Sequence, residues 1–206
     1  MTQMNRRHIL AAAAALPFTA TFAGAAEIDV KSLMEPPAEG EMELGNKDAK
    51  VTVVEYASAS CPHCAAFYND VFPTVQKNYI DNGKIRFIFR EFPHNDAALG
   101  AFMLARCAPK EKYFPLVDVF FKTQETWVPN PLKGLQDIAL QAGFTAETFK
   151  ACIENKDVAK GILDVRSKAD TFGVTGIPTF FINGKKYEDG PELAPFTKYL
   201  DSLLAA

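Results

Sequence analysis

Cys61 and Cys64 stand two residues apart in the chain, with Pro62 and His63 between them. Two cysteines at that spacing can close a small disulfide ring. If a helix starts at Pro62, its first turn offers unsatisfied N–H groups and a positive dipole end, which favour a thiolate. His63 can add a second positive influence. That is the equipment of thiol–disulfide exchange, in which a thiolate attacks a disulfide sulfur and passes through a mixed disulfide. The competing reading makes Cys61 and Cys64 half of a zinc site. Zinc needs two further ligands, and Cys107, Cys152 and His94 lack knuckle-like spacing, so no metal site is expected.

Other residues have chemistry to offer. Glu55 lies six residues before Cys61, among Val53, Val54 and Tyr56, so it reads as a buried carboxyl whose pKa burial would raise. Cys107 and Cys152 fall on two different expected helices. A second, structural disulfide is the leading reading for them, and two separate buried thiols the alternative. Closing about 46 residues would stabilise by roughly 4 kcal/mol in the chain-entropy picture. The segment Gly176-Ile177-Pro178-Thr179 ends the long helical stretch and precedes another apolar run.

These residues need a scaffold. Val51 to Tyr56 is β-branched and nearly continuously apolar, as a central strand covered on both faces should be. A helix follows from about Pro62, where proline's missing N–H costs nothing, and Pro73 should kink or break it near Val71-Phe72. Ile85 to Arg90 is a second strand, giving β-α-β. From Asn95 to about Thr171 only helices are expected: Ala97–Cys107, Leu116–Thr123, Pro131–Ala142, a short one capped by Thr145 and ending near Ile153, and Val158–Ala169. Thr179 to Ile182 returns to strand, Asn183-Gly184 marks a hairpin turn into Lys185–Tyr187, and a last helix starts near Pro191 or Pro195 and runs to about Leu204.

A β-α-β half and a β-β-α half around a helical block, with Cys61-Pro62-His63-Cys64 and Gly176-Ile177-Pro178-Thr179 in place, resembles the thioredoxin fold with a helical insertion. The closest resemblance, over roughly residues 45–204, is to the DsbA-type thiol:disulfide oxidoreductases of the bacterial cell envelope. The resemblance implies an α/β thioredoxin domain over 49–94 and 172–206, with an all-helical insertion over 95–171. It makes Cys61 the exposed nucleophile and Cys64 the buried resolving sulfur. It implies a cis peptide at Ile177-Pro178 beside Cys61, where Gly176, Ile177 and Pro178 pair with an extended substrate. It sets Glu55 beneath the site as a proton relay to Cys64, and makes His63 a tuning residue. The function it implies is a periplasmic protein dithiol oxidase acting on exported proteins that are still folding and carry free thiols. A DsbB-type membrane protein would reoxidise it, and no organic cofactor is needed. A disulfide isomerase or reductase is the first alternative. A metal-binding or chaperone module on the same fold, without turnover, is the second.

Composition agrees with export. Asn5-Arg6-Arg7-His8, the apolar Ile9–Leu16 and the small residues Ala23-Gly24-Ala25 read as a secretory signal over residues 1–26, through either the general or the twin-arginine route. Without it the chain holds 20 basic and 25 acidic residues, a net charge of −5, which leaves no basic stripe for nucleic acid. Residues 27–48, with Pro36-Pro37, Gly40 and four glutamates between Glu35 and Glu43, read as an extended lead segment with no core pattern. That segment is too short for a dimerisation domain, so a monomer is expected.

Overall fold

The computed structural model describes residues 28–206; the leader expected over 1–26 lies outside them. Five strands make one sheet: β1 Met42–Gly45, β2 Val51–Ala57, β3 Ile85–Glu91, β4 Thr179–Ile182 and β5 Lys185–Lys186. Their spatial order is β1-β3-β2-β4-β5, with β2 and β3 parallel and every other pair antiparallel. The most apolar strand, β2, is central, and its side chains alternate between two cores. Val53 and Ala57 face the larger core, Val54 and Tyr56 the smaller. The β4–β5 turn uses Asn183 and Gly184 with φ of 48° and 79°, the left-handed pair that a two-residue hairpin requires.

The helix after β2, α2, runs over residues 62–80. It alternates α segments, Pro62–Ala66 and Phe72–Val75, with π turns, Phe67–Val71 and Gln76–Ile80. Of the kink or break expected near Val71-Phe72, no break occurs, but the helix changes its winding there. A π turn carries the chain up to Phe72, whose N–H bonds to Phe67 at i−5, so the widened turn precedes the proline and the helix continues past it.

Six helices separate β3 from β4: α3 Asp96–Cys107, α4 Tyr113–Lys122, α5 Gln124–Trp127, α6 Pro131–Gln141, α7 Ala146–Ile153 and α8 Lys156–Asp170. Asn95 caps α3 by accepting from the Ala98 N–H, and Thr145 and Thr148 form a capping box on α7. A disulfide joins Cys107, the last residue of α3, to Cys152 on α7. The last of these helices bridges block and sheet: Ile162 joins the larger core with α3, while Val165 and Ala169 of α8 pack with Val54, Tyr56 and Phe181 on the sheet. Periodicity marks a helix but not the surface that receives it. The final helix, α9, is Leu193–Ala205.

The lead segment expected over 27–48 is not simply extended. It forms helix α1, Val30–Met34, capped by Asp29, and then β1 at the sheet edge. Leu33 is fully buried. Two arginines from the body hold the segment through its backbone. Arg90 donates to the Leu33 and Glu35 carbonyls, and Arg106 to those of Glu39 and Gly40. Arg90 also pairs with Glu41 at 2.8 Å. These partners lie about fifty residues or more along the chain, so no local pattern in 27–48 announces them.

The disulfide closes a separation of 45 residues within the helical block, away from the Cys61-Cys64 pair. Replacing Cys107 and Cys152 together by alanine is expected to lower the thermal midpoint, by up to about 4 kcal/mol in unfolding free energy. The Cys61–Cys64 redox equilibrium should be unchanged. Calorimetry and a glutathione titration on the same variant check both halves.

Candidate active site

Cys61 is the N-cap of α2, with extended backbone (φ −87°, ψ 122°), and Pro62 occupies the first helical position. The strand ends at Ala57, and the Cys61 N–H returns to the Ser58 carbonyl at 3.0 Å, which turns the chain tightly into the helix. Cys61, expected to be exposed, is buried with 7% exposure, and Cys64, one turn along, is more deeply buried still, with none. Both are free thiols in this structure.

The two sulfurs are driven in opposite directions. The Cys61 thiol is pushed down to about 5, first by the hydrogen bond from the Cys64 thiol and then by the backbone N–H groups of Cys64 and His63. A smaller electrostatic contribution from His94 adds to this, and burial works against it. Cys64 is pushed far up, first by burial, then by its hydrogen bond to Cys61 and by the negative charge there. Glu55 adds a further upward push, and the Ser58 backbone opposes it. A sulfur that cannot ionise therefore keeps its proton and donates it to one that does.

Glu55 sits in β2 with no exposure, between Phe89 of β3 and Phe180 of β4 in register. Burial pushes its carboxyl up to about 8, opposed by a hydrogen bond from the Tyr68 hydroxyl to Oε2 at 3.1 Å. The other oxygen, Oε1, is buried without a partner. Its charge is felt at Cys64, so acid and buried sulfur share one environment.

The Ile177-Pro178 peptide is cis, and it brings the Ile177 carbonyl to 3.7 Å from Cys61 Sγ. Thr179 Oγ1 donates to the Gly176 carbonyl at 2.6 Å and pins the loop. Two grooves flank the cysteine. One, of about 370 Å³, is lined by Gly176, Ile177, Pro178 and the β5 side of the hairpin. The other, of about 690 Å³, lies between Ser60, Pro62 and residues 123–129 of the helical block. Gln124 closes the junction by donating to the Ala59 and Cys61 carbonyls at 2.7 and 3.0 Å.

Structure and sequence part company over the histidines. The His63 ring is exposed and is not among the causes that lower Cys61; that residue contributes its backbone N–H. His94, weighed from the sequence only as a metal ligand, is the ring that acts. Asn95 Oδ1 accepts from Ser60 Oγ and from the Ala98 N–H, so its amide nitrogen meets His94 Nε2 at 3.1 Å. In the neutral ring the proton is then on Nδ1, which donates to Ser58 Oγ at 2.7 Å; only the cationic ring bears on Cys61 through its charge. Among the described residues no cluster of three or more His, Cys, Asp and Glu side chains could hold a metal ion. A His-Asn pair just beyond the C-terminal end of β3 was the available signal, since sites in such sheets gather at strand C-termini. Tyr68 also had one, because it is four residues after Cys64 on the same helix face. Gln124 had none.

A family model described as thioredoxin matches residues 37–202. A Rickettsia bellii relative, provisionally named a protein-disulfide oxidoreductase, is 38% identical over 157 residues, which is 73% of this chain and 60% of the relative. The chain thus spans about three fifths of that relative's length. The crystal structure of Wolbachia pipientis alpha-DsbA1 superposes with a TM-score of 0.77 at 33% identity, over 84% of this chain and 96% of the other. BdbD from Bacillus subtilis, at 23% identity and a TM-score of 0.70 over 87% and 97% of the two chains, shares the fold.

A thiol lowered to about 5 in the folded protein, against roughly 8.5 when unfolded, fixes the sign of a pH effect. The thiolate stabilises the folded reduced protein fully above the unfolded value, and the stabilisation is lost as pH falls through about 5. In a variant lacking Cys107 and Cys152, the thermal midpoint of the reduced form minus that of the oxidised form should therefore rise from pH 4 to pH 8. A difference that stays flat across that range would contradict a low Cys61 value.

Proposed function

The chain belongs to the thioredoxin family, among its DsbA-like thiol-disulfide oxidoreductases, and on that premise we propose that it is a periplasmic protein dithiol oxidase. The observation that carries the reading is the opposed displacement of the two sulfurs. A Cys61 thiolate stabilised in the folded protein makes the reduced form the favoured one, so the Cys61–Cys64 disulfide readily takes electrons. DsbA-type oxidants owe their strength to a stabilised reduced form.

The reaction begins with the oxidised pair. A substrate thiolate attacks Cys61 Sγ; the Cys61–Cys64 bond breaks, and its electron pair leaves on Cys64. Cys64 cannot remain an anion in its buried setting, and the neutral Glu55 carboxyl supplies the proton. A second substrate thiolate then attacks the substrate sulfur of the mixed disulfide and expels Cys61 as the stabilised thiolate. Two substrate thiols have lost two electrons and two protons to form one disulfide. The cis Ile177-Pro178 segment offers backbone to an extended substrate beside Cys61, and its proline has no N–H to compete for the sulfur.

The leader read over residues 1–26 supports export, and a DsbB-type membrane protein is the reoxidant that the family implies. Exported proteins with free thiols are the substrates, met by a monomer. Among the described residues no helix is long and apolar enough to cross a membrane.

Two outcomes are expected. Against a glutathione buffer, the Cys61–Cys64 pair should equilibrate as an oxidant, reduced by modest concentrations of reduced glutathione; a pair that stays oxidised there would mark a reductase instead. Cys64→Ser should accumulate mixed disulfides through Cys61 that mass mapping can locate, whereas Cys61→Ser should abolish exchange.

A further inference from the structure

Two carboxyl groups are buried on the same face of the sheet, and they are not treated alike. Glu55 on β2 and Glu91 on β3 both have no exposure, and Glu91 is in register with Ala57, two residues from Glu55. Each accepts from a fully buried tyrosine: Glu55 from Tyr68 at 3.1 Å, Glu91 from Tyr113 at 2.7 Å. Glu91 also has Arg106, which grips it with two guanidinium nitrogens, one of them at 2.8 Å. Among the described residues Glu55 has no cation, its strand neighbours Phe89 and Phe180 offer nothing polar, and the Tyr68 hydroxyl is its one hydrogen-bond partner.

Tyr68 is itself held to a single pose. Its ring stacks between Phe72 and Phe121, with centroids at 4.6 and 4.1 Å, and meets Phe67 and Phe89 edge-on. A packed ring with one donor fixes the direction of that donor.

We propose that Tyr68 is the positioning residue of the buried acid: its hydroxyl fixes which carboxyl oxygen carries the proton and sets the pH at which Glu55 exchanges it with Cys64. The idea rests on the relay role given to Glu55 above. With Oε2 accepting from Tyr68, the proton of the neutral acid belongs on Oε1, the oxygen with no partner. When the disulfide is reduced, the Oε1–H bond breaks and an S–H bond forms on Cys64, leaving a carboxylate that Tyr68 stabilises. When the pair is reoxidised, Cys64 becomes a nucleophile and its proton returns to Glu55, so the acid is restored. The titratable groups around Glu55 are Cys64 and Tyr68 on α2, with Tyr113 of α4 beyond Tyr68. Burial and the tyrosine act on the acid in opposite senses, and only the tyrosine favours the charged form.

The test is the pH profile, from 5 to 9.5, of reduction of the oxidised protein by a small dithiol in stopped flow. Tyr68→Phe keeps the stacked ring and loses the donor, so the inflection owed to Glu55 should move up by about one pH unit. Tyr113→Phe, which deprives the structural acid instead, should lower stability and leave the inflection where it was. Glu55→Gln should remove the inflection; if it persisted there, the relay reading of Glu55 would fall, whatever Tyr68 does. If Glu55→Gln abolishes the inflection but Tyr68→Phe leaves it unmoved, the role of Tyr68 is overturned and that of Glu55 stands. Should Tyr68→Phe not fold, the unmodified protein decides. The carbon-13 shift of Tyr68 Cζ should follow the Glu55 titration, and a Tyr68 signal blind to it would reject the proposal.

Discussion

The proton that Cys64 holds in the reduced protein governs this structure. Cys64 is buried one helical turn inside Cys61, and its thiol stays protonated because the charged form has no solvent and faces both a Cys61 thiolate and an acid. That retained proton is the largest single influence holding Cys61 low. Everything else around the pair arranges this asymmetry: β2 delivers the chain to the sheet edge, the Ser58–Cys61 turn starts the helix, and Pro62 occupies a position with no N–H to lose. A helix dipole alone contributes on the order of 0.3–2 kcal/mol, too little for a displacement of several units at about 1.4 kcal/mol each. The Cys64 thiol comes first among the influences that lower Cys61, ahead of the backbone N–H groups of Cys64 and His63.

The helical block reaches the site through few contacts. Gln124 holds the backbone before and at Cys61, Phe121 stacks on Tyr68, and Arg106 and Tyr113 satisfy Glu91. A second polar thread runs from β3 into α3, where Asn95 both caps the helix and orients His94. The site is therefore a junction of sheet, α2 and block, and each part donates at least one hydrogen bond to it.

Much of this was legible in the sequence where local rules decide. The run of Val51 to Tyr56, the Asn183-Gly184 turn, the proline at the start of α6 and the Cys-Pro-His-Cys spacing all state their structure within a few residues. Glu55 was legible because a charged residue inside an apolar strand has to be explained. What escaped depends on partners far along the chain. The lead segment takes its strand from pairing with Phe87, Ile88 and Phe89, and its anchorage from Arg90 and Arg106. At Pro73 the place of the irregularity was legible but not its form: propensity sees a lost hydrogen bond, while the π turns on either side redistribute the ladder. His63 drew attention by standing between the cysteines, while His94, from beyond β3, was missed as a neighbour of the site held by Ser58 and Asn95.

The covalent link between Cys107 and Cys152 makes residues 107–152 a closed ring of polypeptide. Gln124 lies on that ring, at the edge that meets the Cys61 loop. The block cannot be drawn out as a free strand while the link is intact, whatever happens at the sheet. Separation at the groove between Ser60 and residues 123–129 would thus proceed as the undocking of a tied loop, with a few hydrogen bonds to break, and not as the unravelling of a chain. In topological terms the molecule is a knot-free noose resting on a sheet. One disulfide holds the noose shut, and the noose holds the backbone of the other pair.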